Sequence, residues 1–251
     1  MKSEAFRAIG RIANLALDIV LPPQDPFKEE DTDWQSVQFL AEPSCTTCGF
    51  PFEYNVGEKA LCAGCLTRPP KYTQARSALI YDDASRPLIL SFKHGGKTDN
   101  LARFAAQLRR VGHDMLETAD YIVPVPLHKS RRLKRRYNQS VLLARALAKI
   151  TTVPFDPDIL RRVKPTPSQG GQSAAGRRRN VKGAFAVPIH RKERLKGSHI
   201  ILIDDVMTTG ATVEACASVL LRSGAKRVDV LCLARVIRSD MTQKEFTNGQ
   251  S

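Results

Sequence analysis

The sequence predicts an α/β fold: a parallel sheet flanked by helices, behind a small cysteine-bearing segment. From about residue 75 onward, strand-like and helix-like segments alternate, which favours a sheet covered on both sides. The stretch "HIILIDDV", residues 199–206, begins with a continuous apolar run typical of a strand buried on both faces. Four cysteines in paired spacing precede this pattern. With 251 residues, 42% of them hydrophobic, the chain can form one large domain, or a medium domain with a small attachment.

The N-terminal region predicts an amphipathic helix over residues 1–21 and a Pro-rich, acidic connector over residues 22–44. One face of the helix is outlined at helical spacing by Ala5, Ile9, Ile12, Ala16 and Ile19. Charged residues interrupt the stretch, which argues against a secretory signal, while docking on its own domain and contact with a membrane surface both stay open. No apolar run approaches the roughly 20 residues that span a bilayer. We expect a cytoplasmic protein without stable membrane insertion.

The remaining elements follow in chain order. The predicted strands cover 77–81, 119–127, 182–187, 199–206 and 227–236. The predicted helices cover 98–116, 138–150 and 211–225, with Thr98 and Asn138 as N-caps of the first two. We therefore expect four regions: helix and connector (1–44), cysteine module (45–70), α/β domain (71–238) and a frayed tail (239–251).

The cysteine quartet has the spacing C-x2-C-x13-C-x2-C and is formed by Cys45, Cys48, Cys62 and Cys65. Two such knuckles place paired thiolates on tight turns that converge into a tetrahedron, the geometry of structural zinc sites. Two disulfides are the alternative, which a cytoplasmic location disfavours. Four sulfur ligands leave no open position, so the zinc is expected to stabilise the fold without taking part in chemistry. The other two cysteines, Cys216 and Cys232, lie in apolar patterns and are predicted core residues.

The net charge of +14 is concentrated in one part of the chain. Residues 129–182 contain 15 Lys and Arg residues but only two acids, and six of these cations lie in the run "KSRRLKRR". A solvated basic face is the plain interpretation. A site for polyphosphate or nucleic acid is the alternative that we favour, because the run follows a predicted strand end.

Two adjacent acids, Asp204 and Asp205, end the most apolar strand, where ligands of parallel sheets bind. Neighbouring carboxylates repel, but they can accept hydrogen bonds from a sugar diol or lie near a divalent cation. The residues that follow have small side chains, and with the N-terminus of the next helix they can form a phosphate cradle. The proposed cradle comprises Met207, Thr208, Thr209, Gly210, Ala211 and Thr212.

These residues resemble the phosphoribosyl pyrophosphate (PRPP) signature of type I phosphoribosyltransferases. Together with "YDDASRPLILSFKHGGKTD", "VPVPLHKSRRLKRRYNQSVLLARALA" and "TPSQGGQSAAGRRRNVKGAFAV" behind a cysteine quartet, the chain resembles the ComF family over roughly residues 45–237. The resemblance implies a type I phosphoribosyltransferase-like sheet and a zinc-ribbon-like module. Members often have a further cysteine pair upstream, whereas residues 22–38 contain none.

The resemblance also implies roles for individual residues. Asp204 and Asp205 would contact the ribose hydroxyls, the 207–212 loop would bind the 5′-phosphate, and magnesium would arrive with PRPP. Pyrophosphate would bind at the turn formed by Val125, Pro126, Leu127, His128 and Lys129. A flexible loop over the site would lie within residues 167–180 and include Gln169, Gly170, Arg177 and Asn180.

Two functions stay open at this point. One is transfer of phosphoribose from PRPP to an acceptor that the sequence does not identify. The other is a non-catalytic, single-stranded-DNA-binding factor, since the family is associated with DNA uptake in natural transformation; its partners would include the competence helicase and uptake machinery. The basic segment 129–182 would then contact DNA through Arg131, Arg132, Lys134, Arg135 and Arg136. Aromatic residues for base stacking are scarce in that run, which favours contacts with the backbone.

Overall fold

The computed structural model describes residues 32–57, 59–94, 99–127, 138–164 and 174–237. Within these ranges a parallel sheet is covered by helices on both faces, as the sequence predicts. The predicted helix over 1–21 and the predicted tail lie outside the described residues. None of the described helices is long and apolar enough to cross a membrane.

The described residues contain six strands. They are β1 (Ala75–Ile80), β2 (Tyr121–Pro124), β3 (Arg161–Arg162), β4 (Phe185–Ala186), β5 (His199–Met207) and β6 (Arg227–Arg235). Four of them form a parallel sheet in the order β1-β6-β5-β2. In β5, Ile200 and Leu202 join one core while Ile201 and Ile203 join the other. Successive strand residues point to opposite faces, so burial on both sides explains the uninterrupted apolar run.

Nine α-helices lie in the described ranges, with a short 3₁₀ turn at Ile189–Arg191. They are α1 (Thr32–Gln35), α2 (Ala63–Thr67), α3 (Ser85–His94), α4 (Leu101–Val111), α5 (His113–Glu117), α6 (Gln139–Lys149), α7 (Ala174–Val181), α8 (Lys192–Leu195) and α9 (Ala211–Arg222). Helices α3, α4 and α6 cover one face of the sheet through apolar residues such as Phe92, Phe104 and Leu143. Helices α7 and α9 and the cysteine segment cover the other.

Helix α3 is absent from the sequence-based prediction. Its start is held by Asp82, whose Oδ1 accepts hydrogen bonds from the backbone N–H groups of Ala84 and Ser85 at 3.1 and 2.9 Å. Pro87 lies in its first turn, where a missing N–H costs nothing. The proline and the shortness of the apolar run argue against a helix in the sequence. Asp82, a residue type that favours helix N-termini, is the signal that could have indicated it.

The helix predicted over residues 98–116 is divided into α4 and α5 at Gly112. A Cβ at this position would lie 2.5 Å from Leu231 Cδ1, so glycine is what allows the backbone to approach β6. The predicted cap at Thr98 is wrong, because α4 begins at Leu101 with Asn100 at the N-cap position. Asn100 makes no cap bond; its Oδ1 accepts from Trp34 Nε1 at 2.8 Å.

Two further segments differ from expectation. Of the strand predicted over 182–187, only Phe185–Ala186 forms, and it pairs antiparallel with Arg161–Arg162 outside the main sheet. The second half of the predicted connector is ordered along the free edge of β1, where Leu40 N donates to Ala78 O and Ile80 N donates to Gln38 O, both at 2.9 Å. Backbone groups on a sheet edge need partners, and this segment provides them.

Candidate functional site

The two acids lie at the carboxyl end of β5, which continues through them to Met207. The five residues before them are buried, whereas Asp204 and Asp205 are partly exposed. Ser140 Oγ, on α6, donates to Asp204 Oδ1 at 3.1 Å, and the same oxygen accepts from Asp205 N at 3.0 Å. The carboxylates are thus oriented by hydrogen bonds at an accessible edge, and they are not sealed among apolar side chains.

The chain turns sharply after β5 and enters α9. Gly210 has a φ of +72°, a left-handed conformation that favours glycine, and a Cβ there would lie 3.0 Å from Met207 Cε. The hydroxyl Oγ1 of Thr209 is buried and has no hydrogen-bond partner in the part of the chain that the structure describes. The first N–H groups of an α-helix have no intrahelical acceptor, so the start of α9 offers donors beside this hydroxyl. The arrangement suits an anion.

Met207 differs from the other members of the predicted cradle. It is buried as the last residue of β5, its Sδ accepts from Arg235 Nη1 at 3.4 Å, and its carbonyl accepts from Val236 N at 2.9 Å. Its side chain therefore supports the turn from below, while Thr208, Thr209 and Gly210 form the turn itself.

The turn predicted to bind pyrophosphate follows β2, which pairs directly with β5. Val125 N donates to Ile203 O at 2.9 Å, and Asn138 Nδ2 donates to Val125 O at 3.1 Å. Residues 125–127 are therefore next to the acids, and Asn138, whose Oδ1 accepts from Ser140 N at 3.1 Å, caps α6 as predicted. The rest of the predicted turn, His128 and Lys129, lies outside the described residues, as does the basic run 131–136.

The predicted flexible loop overlaps helix α7. Arg177 and Asn180 lie within Ala174–Val181, which is helical, whereas Gln169 and Gly170 lie outside the described residues. Alanine and arginine are good helix formers, and in "AAGRRRNV" their helix propensity outweighs the glycines and serines that precede this segment. Val181, at the end of α7, is buried in the same core as α9.

The four cysteines of the quartet converge as the spacing predicts. Their Sγ atoms all lie within 4.8 Å of one another, all four residues are buried, and none forms a disulfide. Zinc–sulfur bonds of about 2.3 Å imply sulfur–sulfur distances of roughly 3.8 Å in a tetrahedron. The distance from Cys48 Sγ to Cys62 Sγ is 3.6 Å, so the quartet fits a structural zinc ion.

The cysteine segment is joined to the sheet edge by a buried arginine. Arg235, at the end of β6, donates from Nη1 to Cys48 O at 2.7 Å and contacts Met207 Sδ. Tyr72, which follows the last knuckle, lies close to the cradle: a Cβ on Gly210 would be 3.7 Å from its hydroxyl. Burial raises the pKa of the Tyr72 phenol, so this group is neutral and able to donate.

Three residues of this region were not predicted from the sequence: Ser140, Tyr72 and Arg235. Ser140 and Arg235 act across 64 and 187 residues of sequence, and no local pattern marks them. The two remaining cysteines are core residues as predicted, since Cys216 and Cys232 are fully buried and burial raises their thiol pKa.

Comparison with known proteins identifies a domain and several relatives. A family model described as "Phosphoribosyl transferase domain" matches residues 138–248. DNA utilization protein YhgH of Escherichia coli (strain K12) is 32% identical over 201 residues, which cover 77% of this chain and 84% of that protein. Competence protein F of Haemophilus influenzae is 32% identical over 204 residues, which cover 79% of this chain and 87% of that protein.

Among solved structures, adenine phosphoribosyltransferase from Saccharomyces cerevisiae aligns with a TM-score of 0.38 and 16% identity. The alignment covers 59% of this chain and 73% of the yeast protein.

Proposed function

The chain belongs to the ComF family and contains a phosphoribosyltransferase domain, and from this premise we propose that it binds PRPP with magnesium and transfers or senses its phosphoribose. The observation that best supports the proposal is the buried hydroxyl of Thr209 just before α9, which has no hydrogen-bond partner among the described residues and follows shortly after two partly exposed carboxylates. An unsatisfied buried hydroxyl costs free energy, and a phosphate oxygen would remove that cost.

In the proposed complex, Asp204 and Asp205 accept hydrogen bonds from the ribose hydroxyls. The residues from Thr208 to Thr212 donate to the 5′-phosphate. Ser140 is a positioning residue, since it fixes one carboxylate oxygen of Asp204 through a hydrogen bond from a buried hydroxyl. The turn from Val125 to Lys129 receives the pyrophosphate.

If transfer takes place, the bond from the sugar C1 to pyrophosphate breaks and its electron pair leaves with the pyrophosphate. The sugar then has oxocarbenium character until an acceptor nucleophile forms the new bond to C1. Such a step depends on stabilising charge on the leaving group more than on a strong acid or base. Magnesium would supply part of that stabilisation, and the carboxylates at the sheet edge are oxygen ligands of the type it prefers.

The first test is a calorimetric titration of the full-length protein with PRPP and magnesium. We expect wild type to bind and the double variant Asp204→Asn/Asp205→Asn to lose at least about 100-fold in affinity, because hydrogen bonds to charged groups contribute about 1.5–3 kcal/mol each. The matched control is Asp114→Asn, since this carboxylate on α5 is 98% exposed and lies outside the site. Equal affinity for wild type and the double variant would contradict the proposal.

Pyrophosphate release separates transfer from sensing. Wild type that binds PRPP and releases pyrophosphate with one member of a panel of bases is a transferase. Binding without release across the panel favours sensing.

A second candidate function is single-stranded DNA binding. It is supported by the concentration of positive charge in residues 129–182 and by the names of the relatives, a DNA utilization protein and a competence protein. This function does not exclude the first, since a PRPP site could regulate a DNA-binding surface.

A further inference from the structure

A groove with a volume of about 580 Å³ lies along the outer face of α9. The helix contributes residues spaced three or four apart, from Ala211 in its first turn to Arg222 at its end. Twelve residues of α-helix measure about 18 Å, so the groove is elongated. Its near end is at Ala211, which is also one of the cradle residues.

Positive side chains from three separate parts of the chain line this groove. They are Arg68 and Lys71 after the second cysteine knuckle, Arg178, Arg179 and Lys182 at the end of α7 and just beyond it, and Arg222 on α9. Glu214 is the acid among the described lining residues, and Arg68 lies 3.8 Å from it in an ion pair. Five cations in the described lining therefore have no acid there to balance them.

The fold brings these cations together from distant parts of the sequence; they do not form one continuous basic run. More than 100 residues of sequence separate Lys71 from Arg178, yet both face the same concavity. Gathering like charges in a groove raises its positive potential and its attraction for anions. The floor is formed by apolar residues, Val181, Phe185 and Val219, which leaves the charged ends at the rim.

We propose that this groove binds the phosphodiester backbone of single-stranded nucleic acid. An elongated row of cations matches a row of phosphates, whereas a mononucleotide would reach only part of it. A single strand can enter a concavity between helices, which the convex surface of a duplex cannot. Phe185 is buried, so the groove offers no exposed aromatic for stacking among its described lining residues. Binding is then backbone-directed, tolerant of sequence and strongly dependent on salt.

The inference rests on the second candidate function and assigns it to residues other than the basic run 131–136. It also places one end of the bound strand near the cradle, because the groove ends at the start of α9. A strand in the groove would bring its end to the proposed PRPP site.

The test measures fluorescence anisotropy of a labelled oligo-dT and of a mixed-sequence oligonucleotide against the full-length protein at several salt concentrations. The groove variant is Arg178→Ala/Arg179→Ala/Lys182→Ala. The matched control, Arg86→Ala/Arg109→Ala/Arg110→Ala, removes three exposed cations from α3 and α4 on the opposite face of the sheet. The variant Arg178→Lys/Arg179→Lys tests whether positive charge alone is sufficient for binding. The thermal unfolding midpoint of each variant reports whether the fold is intact.

We expect the groove variant to lose at least tenfold in affinity for both oligonucleotides, and the control less than threefold. For single strands each phosphate contact adds about −0.7 to the slope of log affinity against log salt, so three lost cations should reduce that slope by about 2. The lysine variant should keep most of the binding.

The outcomes are distinguishable. Wild type that binds neither oligonucleotide refutes the DNA-binding function itself. Wild type that binds, with equal losses in the groove and control variants, shows general attraction by net charge and overturns the groove assignment. Equal affinity for a duplex of the same length, lost in the same variant, overturns the assignment to single strands.

Discussion

At Thr209, stability of the fold favours an apolar side chain, whereas the proposed function favours a hydroxyl. Its hydroxyl is buried beside the first turn of α9 without a partner in the described chain, while Gly210 next to it adopts a left-handed backbone that lets the turn close tightly. For the folded protein alone, a methyl group in place of this hydroxyl would be at least as favourable. The hydroxyl is explained if a ligand oxygen pairs with it.

This conflict gives a prediction for Thr209→Val, which replaces the hydroxyl by a methyl group of similar size. We expect PRPP affinity to fall about tenfold, which corresponds to about 1.4 kcal/mol. The free energy of unfolding should stay the same or rise by up to about 1 kcal/mol, because a buried unsatisfied group is removed. Calorimetry and urea unfolding measure the two quantities. A variant that is destabilised and binds PRPP normally would show that Thr209 is structural.

Some residues of this site could be predicted from the sequence, and others could not. The twin acids, the small-residue turn and the cysteine quartet are local patterns with direct chemical meaning. Ser140 and Arg235 are not, because each acquires its role from a partner on another element. Local pattern therefore identified the groups that could bind ligand, and tertiary contact determined which residues orient them.

Among the secondary-structure elements, β5 and β6 are joined at their amino ends by a buried charged cluster. The Asp229 carboxylate lies 2.8 Å from Arg227 Nη2 and 3.0 Å from His199 Nε2, and it accepts from Gln74 N at 3.2 Å. The His199 ring also contacts Thr118, before β2. The cluster thus ties the starts of the strands together at the edge opposite the acids.

Burial by itself would raise the pKa of the Asp229 carboxyl. Hydrogen bonds from His199 and Arg227, with the charge of Arg227, outweigh burial and hold this pKa below its usual value. With a lowered folded-state pKa, the unfolded chain takes up the proton first as pH falls. The stabilisation is therefore complete above the unfolded-state pKa of about 3.9 and is lost as pH falls through the lower folded-state pKa.

We accordingly expect Asp229→Asn to lower the free energy of unfolding by about 3 kcal/mol at neutral pH. The difference from wild type should be constant down to about pH 4 and shrink below it. Urea unfolding of both proteins in the same buffers measures this difference in the free energy of unfolding. Protonation of the cysteines affects both proteins and largely cancels in the comparison. A difference that persists unchanged at pH 3 would show that the carboxylate charge is not the cause.

Secondary-structure elements were predictable where the hydrophobic pattern, either periodic or continuous, extended over many residues. Strands β5 and β6 and helices α6 and α9 follow such periods, and their bounds fall close to expectation. The missed features, α3 and the break at Gly112, depend on a proline in a first turn and on one close approach to Leu231. Such details are set by neighbouring elements, which a local pattern does not contain.

At the scale of the whole molecule, a cysteine segment packs against the carboxyl edge of the main sheet. The quartet, Tyr72, Met207 and Cys232 belong to one hydrophobic core, so the segment is continuous with the domain. Arg235 connects the backbone of Cys48 to the end of β5. Zinc in this quartet would therefore hold in place the same turn that is proposed to bind phosphate.

The most direct measurement of the central claim is a crystal structure of the full-length protein soaked with PRPP and magnesium. We predict density for the 5′-phosphate against the backbone and hydroxyls of residues 208–212, with the ribose hydroxyls at Asp204 and Asp205. PRPP bound elsewhere, or acids that keep their present hydrogen bonds while the cradle holds no anion, would contradict the account.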